Sequence, residues 1–256
     1  MRRRTDEGPA SEPPAPGAPR AASATPELSS PAAPTALSPV RLTLLKALTI
    51  IACLLPAALL LRAWFAQALG PEPVEAVGEA TGEWTLRLLL LTLAVTPLRR
   101  LSGAHWLSRL RRTFGLFAFT YGCLHFASYL WLDQNFDWHA IAQDILKRPF
   151  IVIGFSALAL MTPLALTSNA AMIRRLGGRR WQSLHRSIYA IAILGVVHMA
   201  WQADGNLLEP LFYAAALALL LGLRAIWRNA ERRRQLQSAA IPVGTAGRKV
   251  IRIVSK

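Results

Sequence analysis

Three histidines, His125, His185 and His198, fall inside or at the edge of long apolar runs. An ionisable side chain is costly in hydrocarbon, so one found there reads as functional. A neutral imidazole offers one nitrogen lone pair, which lets it bind a metal, relay a proton or bond across a helix pair. His105 and His139 differ: the first lies in a basic loop and the second in a short amphipathic segment. A solvated or interfacial ring explains both. Cys53 and Cys123 are single thiols in separate runs, too few for a disulfide framework or a thiolate cluster.

Depth separates the three histidines. At ~1.5 Å per residue, His125 stands about 20 Å along the run that starts near Arg112. His198 stands the same distance beyond His185. His125 and His198 thus share a level, and two imidazoles facing each other across a bundle make a bis-histidine haem site. Ala118 and Gly122 on one helix, with Ala192 and Gly195 on the other, leave room for a porphyrin. A zinc site would need further ligands at that depth, and the sequence offers none.

His185 belongs to the inner level. At ~100° per residue an ideal helix does not aim His185 and His198 the same way, and a local distortion near Gly195 is one way to bring them round. Arg111 shares a face with His125 one level further in. His185, Arg111 and Arg112 therefore gather at the inner end, where guanidinium groups suit haem propionates, a flavin phosphate or quinone-side chemistry. Without a ligand, the arginines read as positive-inside anchors.

These side chains need helices to position them. The chain is 53% hydrophobic yet holds 29 Lys+Arg against 14 Asp+Glu, a net charge of +15. In a soluble protein that excess would suggest nucleic acid. Here the charges clump between six apolar segments, at about 42–62, 84–98, 113–132, 149–166, 184–202 and 207–227. A span needs ~20 apolar residues, and the second segment is short and contains Arg87, expected to reach the interface beside Glu83. The loops alternate: 70–83 and 203–206 are acidic, while 99–112, 167–183 and the stretch from Arg228 are basic. Basic loops mark the cytoplasmic side. The expectation is an all-α polytopic bundle of six transmembrane helices with both termini cytoplasmic.

Residues 1–40, rich in Pro, Ala and Ser, read as a disordered cytoplasmic tail; 41–228 form the membrane domain, and 229–256 a basic cytoplasmic tail. Phe136 to Leu146, with Phe136, Trp138, Ile141 and Ile145 to one side, is expected to lie in the outer interface. Trp84, Trp131, Trp181 and Trp201 at the span ends form an aromatic belt.

Several stretches sharpen this pattern: Thr96-Pro97-Leu98-Arg99, Arg111-Arg112-Thr113-Phe114-Gly115-Leu116, Lys147-Arg148-Pro149-Phe150-Ile151 and Trp181-Gln182-Ser183-Leu184-His185-Arg186. With His125 and the His185/His198 pair, they resemble the ferric-reductase-like transmembrane domain and, within it, the MsrQ (YedZ) family of the bacterial periplasmic methionine-sulfoxide reductase system. The resemblance covers about residues 40–228. It implies haem b, with FMN also reported for the family, in a multi-pass protein of the bacterial inner membrane. It implies electron transfer from the quinone pool, or from a cytoplasmic flavin reductase, to a periplasmic molybdopterin-containing subunit that repairs oxidised methionines. On this reading the sulfoxide chemistry is the partner's. His125 and His198 carry over as axial iron ligands, with His185 as the third family histidine. Only about 30 residues follow Trp227, too few for a dinucleotide-binding fold, so the electron donor is expected to be separate. Two rivals remain on sequence alone: a cytochrome b anchor of another oxidoreductase, and a non-redox proton or metal transporter using the same histidines.

Overall fold

Long helices run between proline and glycine punctuation in the computed structural model, which describes residues 38–203 and 205–240. They are α1 (Pro39–Phe65), α2 (Pro73–Ser102), α3 (Arg111–Ser128), α4 (Trp138–Lys147), α5 (Phe150–Leu166), α6 (Ala170–Leu176), α7 (Gly178–His185), α8 (Ile188–Gln202) and α9 (Leu208–Ala240). No strand occurs among the described residues. The all-helical expectation holds. The tail assigned to 1–40 lies outside the described residues except at its end, where Ser38 accepts a hydrogen bond from the Arg41 N–H and caps α1. At the other end, α9 continues through Ala240, into the stretch read as a basic tail, and residues beyond it are outside the described set.

By length and composition, Pro39–Phe65, Gly178–Gln202 and Leu208–Ser238 can cross a membrane. A fourth span is available if α4 and α5, bent by 107°, count as one. The outer surface fits lipid better than water. On α1, Leu44, Leu48, Ile51, Leu54 and Leu55 are all exposed, and only Leu42 and Cys53 are buried. An apolar surface of that extent calls for hydrocarbon around it.

The core lies between α2, α3, α5 and α8, around Leu88, Leu93, Ala118, Ile191 and Ala192. Ala118 and Ala192, expected to make room for a cofactor, are instead fully buried in this packing. Their small size lets the helices approach closely, as membrane bundles favour.

Prolines break the helical ladder, and side chains from neighbouring helices mend it. Pro97 has no N–H to give the Leu93 carbonyl one turn earlier. The Arg224 guanidinium, on α9, donates to that carbonyl instead. Near Pro56, the Tyr121 hydroxyl enters the α1 ladder, accepting from the Ala57 N–H at 3.0 Å and donating to the Cys53 carbonyl at 2.8 Å. Arg87 meets Glu83 as expected, at 2.6 Å, and also donates to the Tyr213 hydroxyl at 2.9 Å.

One expectation is corrected. The helix carrying His185 and His198 is not distorted at Gly195; it breaks at Arg186 and Ser187, between α7 and α8. There the backbone switches to tighter turns, Arg186 N–H to Ser183 O and Ser187 N–H to Leu184 O, and the Ser187 hydroxyl donates to the Leu184 carbonyl. Serine side chains compete for backbone groups in this way, and a run of 3₁₀-type bonds marks the hinge.

Candidate functional site

His125 projects from α3 and His198 from α8. Their ring centres are 6.1 Å apart and their planes cross at 80°. Both rings are half-buried, and both line one cavity of about 1190 Å³. That exceeds the ~300–1,000 Å³ usual for small-molecule and cofactor pockets. Its floor is apolar, with Leu86, Leu89, Leu158, Met161 and Ile191, and Gly122 and Gly195 also line it as expected. Its mouth carries Glu72, Glu79, Glu83, Asp133 and Glu209, with Arg148 among them.

Each ring is held by its Nδ1 atom. His125 Nδ1 is 2.9 Å from the Gly78 carbonyl oxygen on α2, and His198 Nδ1 is 2.7 Å from the Phe150 carbonyl oxygen on α5. A carbonyl only accepts, so in both rings Nδ1 carries the proton and donates. That leaves Nε2 unprotonated, with its lone pair available. Metal-binding histidines are fixed in this way, since the second bond sets the tautomer and raises the basicity of the ligating nitrogen.

The spacing suits one metal ion between the rings. Imidazole nitrogen binds a first-row metal at about 2.0–2.1 Å, and the ring centre lies about 1 Å behind it, so two axial imidazoles stand with centres about 6 Å apart. No group of three or more His, Cys, Asp or Glu among the described residues could hold an ion by itself. A metal at this position would need its remaining ligands from a macrocycle, and a tetrapyrrole is the group that donor set fits.

The inner residues are elsewhere. His185 closes α7, and neither it nor Arg111 nor Arg112 lines the cavity. The Thr167 hydroxyl donates to the Pro163 carbonyl at 2.6 Å and so accepts from His185 Nε2, 3.0 Å away. The Trp181 ring stacks on His185 with centres 4.0 Å apart, while its indole N–H donates to the Thr167 carbonyl. His185 thus ties α7 to the C-terminal end of α5. Arg111 lies within electrostatic range of His185, Arg99, Arg224 and Tyr189. Arg112 is exposed. So His125 and His198 come together, His185 and Arg111 lie near each other away from that pair, and Arg112 stands exposed.

Reading the sequence for side chains missed the two carbonyls that fix the rings. Phe150 opens α5 and Gly78 belongs to the first turns of α2, and nothing in either residue type marks its carbonyl. The signal lies one turn further on, at the glycines 82 and 154.

The chain matches the family described as ferric reductase like transmembrane component over residues 81–196, a range that includes His125 and His185 and ends two residues before His198. Among curated proteins it is 55% identical over 196 residues to the protein-methionine-sulfoxide reductase heme-binding subunit MsrQ of Azospira oryzae, covering 76% of this chain and 82% of that one. It is 49% identical over 192 residues to the subunit of the same name from Herminiimonas arsenicoxydans, covering 74% of this chain and 88% of that one. With the MsrQ of Bordetella pertussis it shares 48% over 193 residues, 72% of this chain and 91% of that one.

Proposed function

The chain belongs to the MsrQ family of haem-binding subunits, and from that premise we propose that it is a membrane electron carrier whose haem b is held between His125 and His198. One observation carries the reading: two imidazoles centred 6.1 Å apart, each with its Nδ1–H given to a backbone carbonyl and its Nε2 left free. A proton or metal transporter using the same histidines is not favoured by this arrangement, because a carrier site has to let go of its cargo and both rings are locked.

Bound haem would supply one-electron chemistry, and the chain supplies position, orientation and tuning. His125 and His198 would hold the haem iron through their Nε2 atoms. The Gly78 and Phe150 carbonyls hold the tautomer that keeps both Nε2 atoms basic. Leu86, Leu89, Leu158, Met161 and Ile191 line the floor with hydrocarbon, which excludes water and so influences the potential. The sulfoxide chemistry belongs to a catalytic partner, as the relatives' name, subunit of a protein-methionine-sulfoxide reductase, suggests.

The finer features follow the charge pattern and the family. Six spans with both termini cytoplasmic would put the acidic 70–83 loop outside and the basic 99–112 loop inside. The histidine pair then belongs to the outer half of a bacterial inner membrane, next to a periplasmic molybdopterin-containing subunit. Electrons would enter from the quinone pool or a cytoplasmic flavin reductase, at the end where His185, Arg111 and Arg112 gather. FMN is part of the reading through the family resemblance alone.

A reduced-minus-oxidised spectrum of the purified protein tests this. A b-type spectrum with a pyridine-haemochrome signal is expected. A colourless protein, purified from cells supplied with haem, would rule the reading out.

A further inference from the structure

Each histidine of the pair reaches a carbonyl that is already part of a helix, and the two solutions are the same. His125 donates to the carbonyl of Gly78, and four residues on is Gly82. His198 donates to the carbonyl of Phe150, and four residues on is Gly154. In an α-helix the carbonyl of residue i points along the axis toward residue i+4. The Cα–Cβ bond at i+4 tilts back toward the helix N-terminus, over that same oxygen. A side chain at i+4 therefore covers the lateral lone pair of the carbonyl, and glycine leaves it open.

The distances show how much space each glycine yields. A Cβ added at Gly154 would be 2.7 Å from His198 Cε1, 2.9 Å from Nδ1 and 3.1 Å from Nε2. One added at Gly82 would be 3.2 Å from both Cε1 and Nδ1 of His125. Carbon atoms rest at about 3.5–4.0 Å. Beside an alanine at position 154 the His198 ring would have to move, and beside one at 82 the His125 ring would have to give by a few tenths of an ångström. Two other glycines lining the cavity behave differently: a Cβ at Gly195 would meet only Leu86 Cδ1 at 3.4 Å, and one at Gly122 would meet Leu158 Cδ1 at 3.3 Å and the Thr85 side chain beyond it.

We propose that Gly82 and Gly154 are positioning residues for the paired histidines, each holding open a helix carbonyl so that it can take the imidazole Nδ1–H and direct Nε2 into the cavity. The inference rests on the haem reading above and adds two residues to it. The device occurs twice, on α2 for the α3 histidine and on α5 for the α8 histidine. Through it, helix packing controls how strongly both rings donate to a metal.

The test compares four single variants of the full chain purified with haem: Gly154→Ala, Gly82→Ala, and as controls Gly115→Ala and Gly222→Ala, which lie outside the cavity lining and whose added Cβ would meet nothing closer than Thr92 Cγ2 at 3.8 Å. The readouts are the low-spin spectrum, the midpoint potential and haem retention. Gly154→Ala is expected to lose the low-spin spectrum or most of its haem. Gly82→Ala, the milder clash, is expected to keep a low-spin spectrum with a more positive potential, because a ring deprived of its acceptor donates less. Its haem affinity should fall roughly tenfold to a hundredfold, as for other groups that orient a ligand from behind. Gly115→Ala and Gly222→Ala should match the parent in all three. If Gly154→Ala fails to fold, the potential of Gly82→Ala decides. The proposal is overturned if Gly82→Ala keeps the parental potential and haem affinity, or if the two control glycines shift them equally. A parent that holds no haem overturns the functional reading, and this inference with it; a haem-loaded parent with an unshifted Gly82→Ala overturns this inference alone.

Discussion

The two ends of the bundle hold their histidines by different chemistry. At one end, His125 and His198 give their Nδ1–H groups to backbone carbonyls and keep Nε2 free, facing a cavity. At the other end, His185 gives its Nε2–H to Thr167, under a stacked Trp181, and does not line that cavity. The charges differ as well. Carboxylates ring the cavity mouth, whereas at the His185 end Arg224 and Arg228 donate to the Tyr189 hydroxyl and Arg111 lies within electrostatic range of Tyr189, Arg224 and Arg99. The same residue type keeps Nε2 free beside a cavity in one place and ties two helices together in the other, and the hydrogen-bonded nitrogen makes the difference.

Removing the outer rings should have the largest effect. His125→Ala or His198→Ala is expected to abolish the low-spin b-type spectrum or convert it to high spin, as read by visible absorption. If either variant keeps the parental spectrum, the outer pair is not the ligand pair.

Next comes Arg224→Leu. It leaves the Leu93 carbonyl, already deprived of a helical donor by Pro97, without a partner, and it frees the Tyr189 hydroxyl from one donor. An orphaned buried acceptor costs about 1–3 kcal/mol. The thermal midpoint in detergent should fall while the spectrum of surviving protein stays the same. A spectral change without loss of stability would show the inner end acting on the cofactor rather than on the scaffold.

A smaller effect is expected from His185→Ala. It removes one hydrogen bond and one stacked ring, together about 1 kcal/mol in a membrane bundle. The absorption per mole of protein should be unchanged. A halved haem content would place a second ligand at the His185 end and make the two ends alike.

Smallest of all is Arg100→Gln, which breaks the exposed 2.9 Å pair with Glu231. Exposed pairs contribute about 0–1 kcal/mol, so melting should barely move, and less still at high salt.

Much of this was legible in the chain. Apolar runs and alternating charge announced helices in a membrane, and the count of residues from each basic loop put His125 and His198 at one level. The short segment after Asp133 was expected to lie flat; it forms α4, with Trp138 and Ile145 exposed, Ile141 buried and a bend of 107° into α5. Ala118 and Ala192 were taken as space for a cofactor, but small residues also serve close packing, and a sequence does not distinguish the two uses. The hinge at Arg186 and Ser187 was missed because an ideal helix was carried through Ser187, whose hydroxyl bonds the Leu184 carbonyl, and Ser183, which accepts from the Arg186 guanidinium.

The sequence by itself determined which residues could do chemistry and how deep each one lies, because rise per residue and hydropathy are properties of a single helix. The tertiary structure decided what each histidine is for. That depends on which carbonyl of a neighbouring helix comes within 3 Å of which nitrogen, and whether a glycine one turn later lets the ring approach. The Gly78 carbonyl is 47 positions from His125 and that of Phe150 is 48 from His198. No local period connects residues so far apart; the packing of α2 on α3 and of α5 on α8 does.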